Sequence, residues 1–187
     1  IESAMRDYLS ARYDAAVKAV AQLKGSSDKR VACQASFIVG ASRLRAGDDA
    51  EARKELFWTL GKCYNTTLPI KGDAVRLRAL AAGLIAERAA IAGRLGDIDE
   101  LERVMKLDLP SDRMNVYGAS GTTVEGSVKV RDYLDLQRAR ILVAKGQAPD
   151  AAPLLDRLDW STGKVLWKGA VVALRDAVAD LRKAAGL

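Results

Sequence analysis

Apolar residues along this chain return every three or four positions, in stretches that break at glycine and restart behind a polar capping residue. That period predicts helices rather than strands. In the first stretch, residues 3–24, Tyr13, Ala16, Val17, Val20 and Leu23 follow helical spacing. Gly25-Ser26-Ser27-Asp28 ends it, Val31 to Ala46 reads as a long amphipathic helix, and Asp49 to Leu60 reads as its return partner, closed by Gly61. Residues 61–72 are a connector, because Pro69 and Gly72 interrupt both periods. A helix from Asp73 to Leu95 and a shorter one after Gly96, stopped at Leu109 by Pro110, form the next pair. Residues 111–128 are non-helical, and 115–130 is either a small β-hairpin turning at Glu125-Gly126 or a loop. Arg131 to Lys145, Pro149 to Leu158 and Lys164 to Ala185 read as further helices. The expected fold is all-α, with about seven to eight helices in a single domain over 1–187. Its hairpins span 3–24, 31–61, 73–109 and 131–158, and a capping helix spans 164–185.

The breaks share a grammar. Gly47-Asp48-Asp49-Ala50-Glu51, Gly96-Asp97-Ile98-Asp99-Glu100 and Gly146-Gln147-Ala148-Pro149-Asp150 each offer a glycine for the left-handed position after a helix and a polar residue to cap the next one. Ala52, Leu101 and Ala151 stand five residues after these glycines, and Leu56, Met105 and Leu155 nine after. The first segment joins the series when Ala11 takes the glycine's place, which supplies Ala16 and Val20. A small or apolar residue followed by a large one is what two antiparallel helices need where they press closest.

These offsets resemble the tetratricopeptide repeat family, whose hairpins carry a turn glycine, a small residue five later and a large apolar residue four after that. Gly40, with Ser36 before it and Arg43 after it, stands where that family has its helix–helix contact glycine. The resemblance covers residues 3–158, yet the turns here are 36, 49 and 50 residues apart, against the family's regular 34. It implies an α-α hairpin solenoid, a right-handed superhelix, acting as a non-enzymatic protein-binding adaptor or scaffold. The first helix of each hairpin then lines a concave face, where peptides lie. That face would gather Gln34, Phe37, Ala41 and Arg45, then Ala86 and Arg94, then Tyr133, Leu136 and Arg140. Arginine's planar fork favours carboxylates, so the implied partner is an acidic or C-terminal peptide segment of another protein. Members of the family that clamp chaperone C-termini place Lys and Asn where this chain has Phe37 and Ala41, which argues against that activity.

Composition narrows the chemistry. Histidine is absent from the 187 residues, which removes the commonest general base, the usual triads and most zinc or iron sites. Gly118-Ala119-Ser120-Gly121 and Ser161-Thr162-Gly163-Lys164 lack the remaining glycine and lysine positions of a phosphate loop and read as turns. Acid pairs at helix starts are explained by capping. The expectation is no catalytic residue, no metal and no cofactor. A net charge of +6 raises nucleic acid as a partner, but the charge is not gathered into a basic tail, so a basic helical-repeat nucleic-acid binder is the alternative rather than the first reading. A small-molecule or lipid-binding helical protein, with 111–128 as a lid, is a third. No stretch reaches the apolar length of a membrane span.

The cysteines bear on location. With Gly47 as a hairpin tip, Cys33 lies 14 residues before it and Cys63 16 after, so both fall at the same far end of the pair. They are either a disulfide clasping that end or two buried thiols. A bridge fits an oxidising compartment, which makes an exported, periplasmic protein the expectation and a cytoplasmic one the alternative. The chain begins at Ile1, after a removed targeting segment or at an arbitrary boundary.

Overall fold

Lys168 and Gly169 both adopt positive φ, 49° and 84°, as in a two-residue type I′ turn. They fold Lys164–Trp167 back onto Ala170–Ala173 as an antiparallel hairpin. The helix expected over 164–185 therefore starts only at Leu174. Val165, Val171 and Val172 are β-branched and lose rotamer freedom in a helix, while alternation lets Val165 and Trp167 face inward, 0% and 8% exposed, with Lys164 and Leu166 facing out.

In the computed structural model, residues 1–70, 73–105, 113–117 and 124–187 are described. The elements run α1 (Glu2–Leu9), α2 (Tyr13–Val20), a 3₁₀ turn (Ala21–Gly25), α3 (Lys29–Arg45), α4 (Asp49–Lys62), β1 (Thr67–Ile70), β2 (Asp73–Arg76), α5 (Leu77–Ala92) and α6 (Leu95–Met105). There follow β3 (Arg113–Tyr117), β4 (Val124–Lys129), α7 (Val130–Ala144), α8 (Ala148–Leu158), β5 (Lys164–Trp167), β6 (Ala170–Ala173) and α9 (Leu174–Ala185). The chain is mostly helical, with three two-stranded antiparallel sheets among the described residues.

A β-hairpin thus follows each of the pairs α3–α4, α5–α6 and α7–α8 and lengthens the repeat. Two expectations change with it. The helix expected from Asp73 begins at Leu77, its first four residues being β2, and the supposed connector 61–72 contains β1. The hairpin expected within 115–130 with its turn at Glu125-Gly126 is not formed: those two residues lie inside the single strand β4, whose partner is β3, with Gly126 opposite Val116. The stop at Pro110 and the segment Gly118–Gly121 lie outside the described residues. The hairpins repeat a burial rule. Leu68, Ile70 and Val75 precede Leu77, Met114, Val116 and Val128 precede Val130, and all are at most 9% exposed. At both ends of the series the amide of the first helical residue closes the hairpin base: Leu77 N donates to Thr66 O (3.0 Å) and Leu174 N to Gly163 O (2.9 Å).

Two compact units divide the chain, Ile1–Leu84 and Ile85–Leu187. In the first, α1 and α2 meet at Ala11, which takes φ 57° where Gly47 takes 88°. Asp28 caps α3 by accepting from the amides of Arg30 and Val31, and Asp48 caps α4 by accepting from Glu51 N. α3 packs against α1, α2, the 3₁₀ turn, α4 and β1, and every residue from Ala32 to Ser42 is buried. Gly40 permits the close approach of α4: a Cβ there would stand 2.9 Å from Leu56 Cγ and 3.1 Å from Glu55 Cβ. Cys33 and Cys63 are joined in a disulfide, both fully buried, with Cα atoms 5.8 Å apart.

In the second unit, α7 packs against α6, α8, α9 and β4. Gly146 makes the α7–α8 turn at φ 72°. The turn expected at Gly96 is made instead by Gly93, φ 67°, so that Gly96 and Asp97 sit inside the first turn of α6. A slide of three residues keeps the same helical face inward, and Ile98, Leu101 and Met105 are all buried. A small residue stands seven positions before each of the four turns: Ala4 (1% exposed), Gly40, Ala86 (0%) and Ala139 (0%). β4 touches β5 through an antiparallel bridge between Val128 and Gly163.

Candidate functional site

The residues expected to line a concave partner face divide between the two units and are mostly interior. In the first, Gln34 and Phe37 are 8% and 2% exposed. Gln34 Nε2 donates to Thr67 O of β1 at 2.8 Å, so the chain's own hairpin occupies the place where a peptide was expected. Arg45 is exposed. In the second, Tyr133 and Leu136 are 6% and 0% exposed, Arg94 is exposed and pairs with Asp97 at 2.9 Å, and half-buried Arg140 lies over the Trp167 ring, 5.2 Å from its centroid. Gln34, Phe37, Tyr133 and Leu136 therefore pack their own units and offer no open groove. The reason is that α3 and α7 are enclosed by neighbouring helices and by β1 and β4, whereas the expected face assumed one side of each first helix left open.

Other polar clusters secure helices. Trp167 Nε1 donates to Asp180 Oδ2 at 2.8 Å and Lys168 Nζ reaches the same oxygen at 2.7 Å, which ties the β5–β6 turn to α9. The Lys168 hydrogen bond, then that of Trp167, holds the Asp180 carboxyl below its ordinary value of 3.8. Arg182 bridges Asp156 and Asp159 at 2.7 and 2.6 Å, and these bonds raise its guanidinium above the usual range. In the first unit a cleft of about 380 Å³ has Val17 and Val39 beside Lys24, Arg43, Asp48 and Glu51. Lys24 is already paired with buried Glu55, and the two cations and two acids balance.

The open surface of chemical interest in the first unit is the outward face of α4. Ala52, Glu55, Leu56, Thr59 and Leu60 point inward, leaving Arg53, Lys54, Phe57, Trp58 and Gly61 on the opposite arc at helical spacing. Trp58 is 39% exposed, and Tyr64, just beyond the helix, 48%. Arg53 stands over the Phe57 ring at 4.7 Å, and Arg78 from α5, itself 1% exposed, stands over the Tyr64 ring at 4.3 Å. A Cβ at Gly61 would meet nothing within 4 Å, so a side chain there has open space. The disulfide fixes this end of α4 to α3, since Cys63 is its C-cap. The unit also holds most of the charge: residues 1–84 carry 14 Lys and Arg against 9 Asp and Glu, a net of +5, while residues 85–187 carry 16 against 15, a net of +1. The face was legible in the sequence as Arg-Lys-x-x-Phe-Trp-x-x-Gly, but nothing there marked which side of α4 would be covered.

Among the described residues no helix is long and apolar enough to cross a membrane. No protein-family model, curated protein or solved structure matches the chain.

Proposed function

We propose that this chain is a non-enzymatic interaction module, a tetratricopeptide-like helical-repeat adaptor that holds another protein and works in an oxidising compartment outside the cytoplasm, where it aids the assembly of an envelope or secretion complex. The observation that carries the reading is the recurrence of one unit, a helical pair with a small buried residue seven before its turn, followed by a β-hairpin. Repeating units of this kind build extended surfaces, and the buried disulfide supports the compartment. The step from fold to role is analogy at the level of architecture. A second reading, a nucleic-acid binder, draws on the +5 of residues 1–84.

Native mass spectrometry on the full chain, purified without reductant from the cell that makes it, tests the proposal. A stoichiometric protein partner and no free thiols are expected. A co-purifying metabolite that the chain turns over, or bound nucleic acid released steeply by salt, overturns it.

A further inference from the structure

We propose that β6 pairs with β6 of a second copy of this chain, antiparallel and about a two-fold axis through Val172, so that two hairpins become one four-stranded sheet. Self-association by this edge goes beyond the adaptor reading and is independent of it.

An open strand edge invites pairing with another chain, and proteins guard such edges with charged residues or proline. β1 carries Pro69, β2 Asp73 and Arg76, β3 Arg113, β4 Lys129 and β5 Lys164. β6 reads Ala-Val-Val-Ala and carries neither. Among the described residues it pairs with β5 alone, while β4 meets the start of β5 at Gly163. Ala170 is exposed, and Val171, Val172 and Ala173 are half-buried. This edge is therefore both open and unguarded.

Register decides which groups the edge presents. Leu174 N donates to Gly163 O, so by the alternation of an antiparallel pair Val172 and Ala170 exchange bonds with Val165 and Trp167. The amides of Val171 and Ala173 and the Val171 carbonyl then point away from β5. Turned about Val172, Val171 of each copy exchanges both bonds with Ala173 of the other. Donors and acceptors match themselves, so a second copy fits without any side-chain pocket.

Side chains agree with that axis. Fully buried Val165 stands opposite Val172, and the two-fold continues the row through Val172 and Val165 of the second copy. β-branched residues facing each other across strands stabilise a sheet. On the other face Leu166, 40% exposed, stands opposite Val171 and gains Ala173 of the second copy beyond it. A chain of net charge +6 repels itself, but this strand pair brings no like charges together. A two-stranded hairpin is marginal alone, and four strands are not.

Sedimentation equilibrium of the oxidised full chain between about 1 µM and 1 mM, the range of a small interface, tests the pairing. Expected is a reversible step from 20.1 kDa to twice that mass and no further, because a two-fold contact closes. In NMR hydrogen exchange the Val171 and Ala173 amides should slow about tenfold or more from the dilute to the concentrated end. Val171→Pro removes an outward donor and no bond to β5, and is expected to weaken the dimer about tenfold or more. Val171→Lys leaves the backbone intact and should weaken it too, by setting like charges near one another across the axis. A chain that stays monomeric, species larger than a dimer, a dimer that ignores both variants, or one that forms without slowing those amides overturns the pairing. Each of these results leaves the adaptor reading standing.

Discussion

Replacing Gly40 by alanine sets two effects of known size against each other. In a helix interior Ala is favoured over Gly by about 1 kcal/mol, so propensity alone predicts a more stable protein. The new methyl, however, would stand 2.9 Å from Leu56 Cγ and 3.1 Å from Glu55 Cβ, where carbon atoms rest at roughly 3.5–4.0 Å. Leu56 is 0% exposed and has nowhere to swing. α4 cannot simply back away either. The disulfide joins the helices at Cys33 and Cys63, each seven residues from the contact, about 10 Å along its helix. Overpacking of this kind costs about 1–3 kcal/mol, so Gly40→Ala is expected to destabilise by about 1 kcal/mol net. Gly61→Ala in α4 is the control: its Cβ meets nothing, and it should stabilise by about 0.5–1 kcal/mol. Urea unfolding followed by circular dichroism at 222 nm reads both. The penalty at Gly40 should also shrink in a Cys33→Ala/Cys63→Ala background, where the helices are free to part. If Gly40→Ala raises the urea midpoint as Gly61→Ala does, the close helix contact is wrong.

Three further outcomes follow from the geometry. Cys33→Ala/Cys63→Ala opens a 30-residue loop and should cost about 3–4 kcal/mol of chain-entropy stabilisation, seen as a lower urea midpoint than the oxidised parent. Ala11→Gly relieves a left-handed alanine, φ 57°, and is expected to raise stability by about 0.5–1 kcal/mol after the loss of rigidity in the unfolded chain, measured as a higher melting temperature. The Asp180 carboxyl is held below 3.8 by Lys168 and then Trp167, so its contribution is present above that pH and is lost as pH falls through the lower folded value. Lys168→Met should raise this pKa toward 3.8 in an NMR titration, and an unchanged midpoint would show that the pair does not persist in solution.

What could be read along the chain was local. Asp28 and Asp48 cap their helices through amides two or three residues away, and Gly47, Gly146 and even Ala11 turn the chain as their positions suggested. The β-hairpins were written too, but faintly: Leu68-x-Ile70 answers Val165-x-Trp167, and Val75-x-Leu77 answers Val172-x-Leu174. Four-residue strands give the period of two only two repeats, and alanine-rich flanks carry a helical period through them.

The tertiary structure alone decided which faces are covered. Phe37 and Leu136 suit an open groove by their spacing, yet they are 2% and 0% exposed, on helices against which several elements of their own units pack. The reverse holds for Phe57 and Trp58, which by hydrophobicity belong inside and are left toward solvent because the small and aliphatic residues of α4 already fill its contact with α3. Helix ends are set by hydrogen bonds within a few residues, so the amino-acid order suffices for them. Burial depends on which distant segment packs on a surface, and many segments are equally apolar.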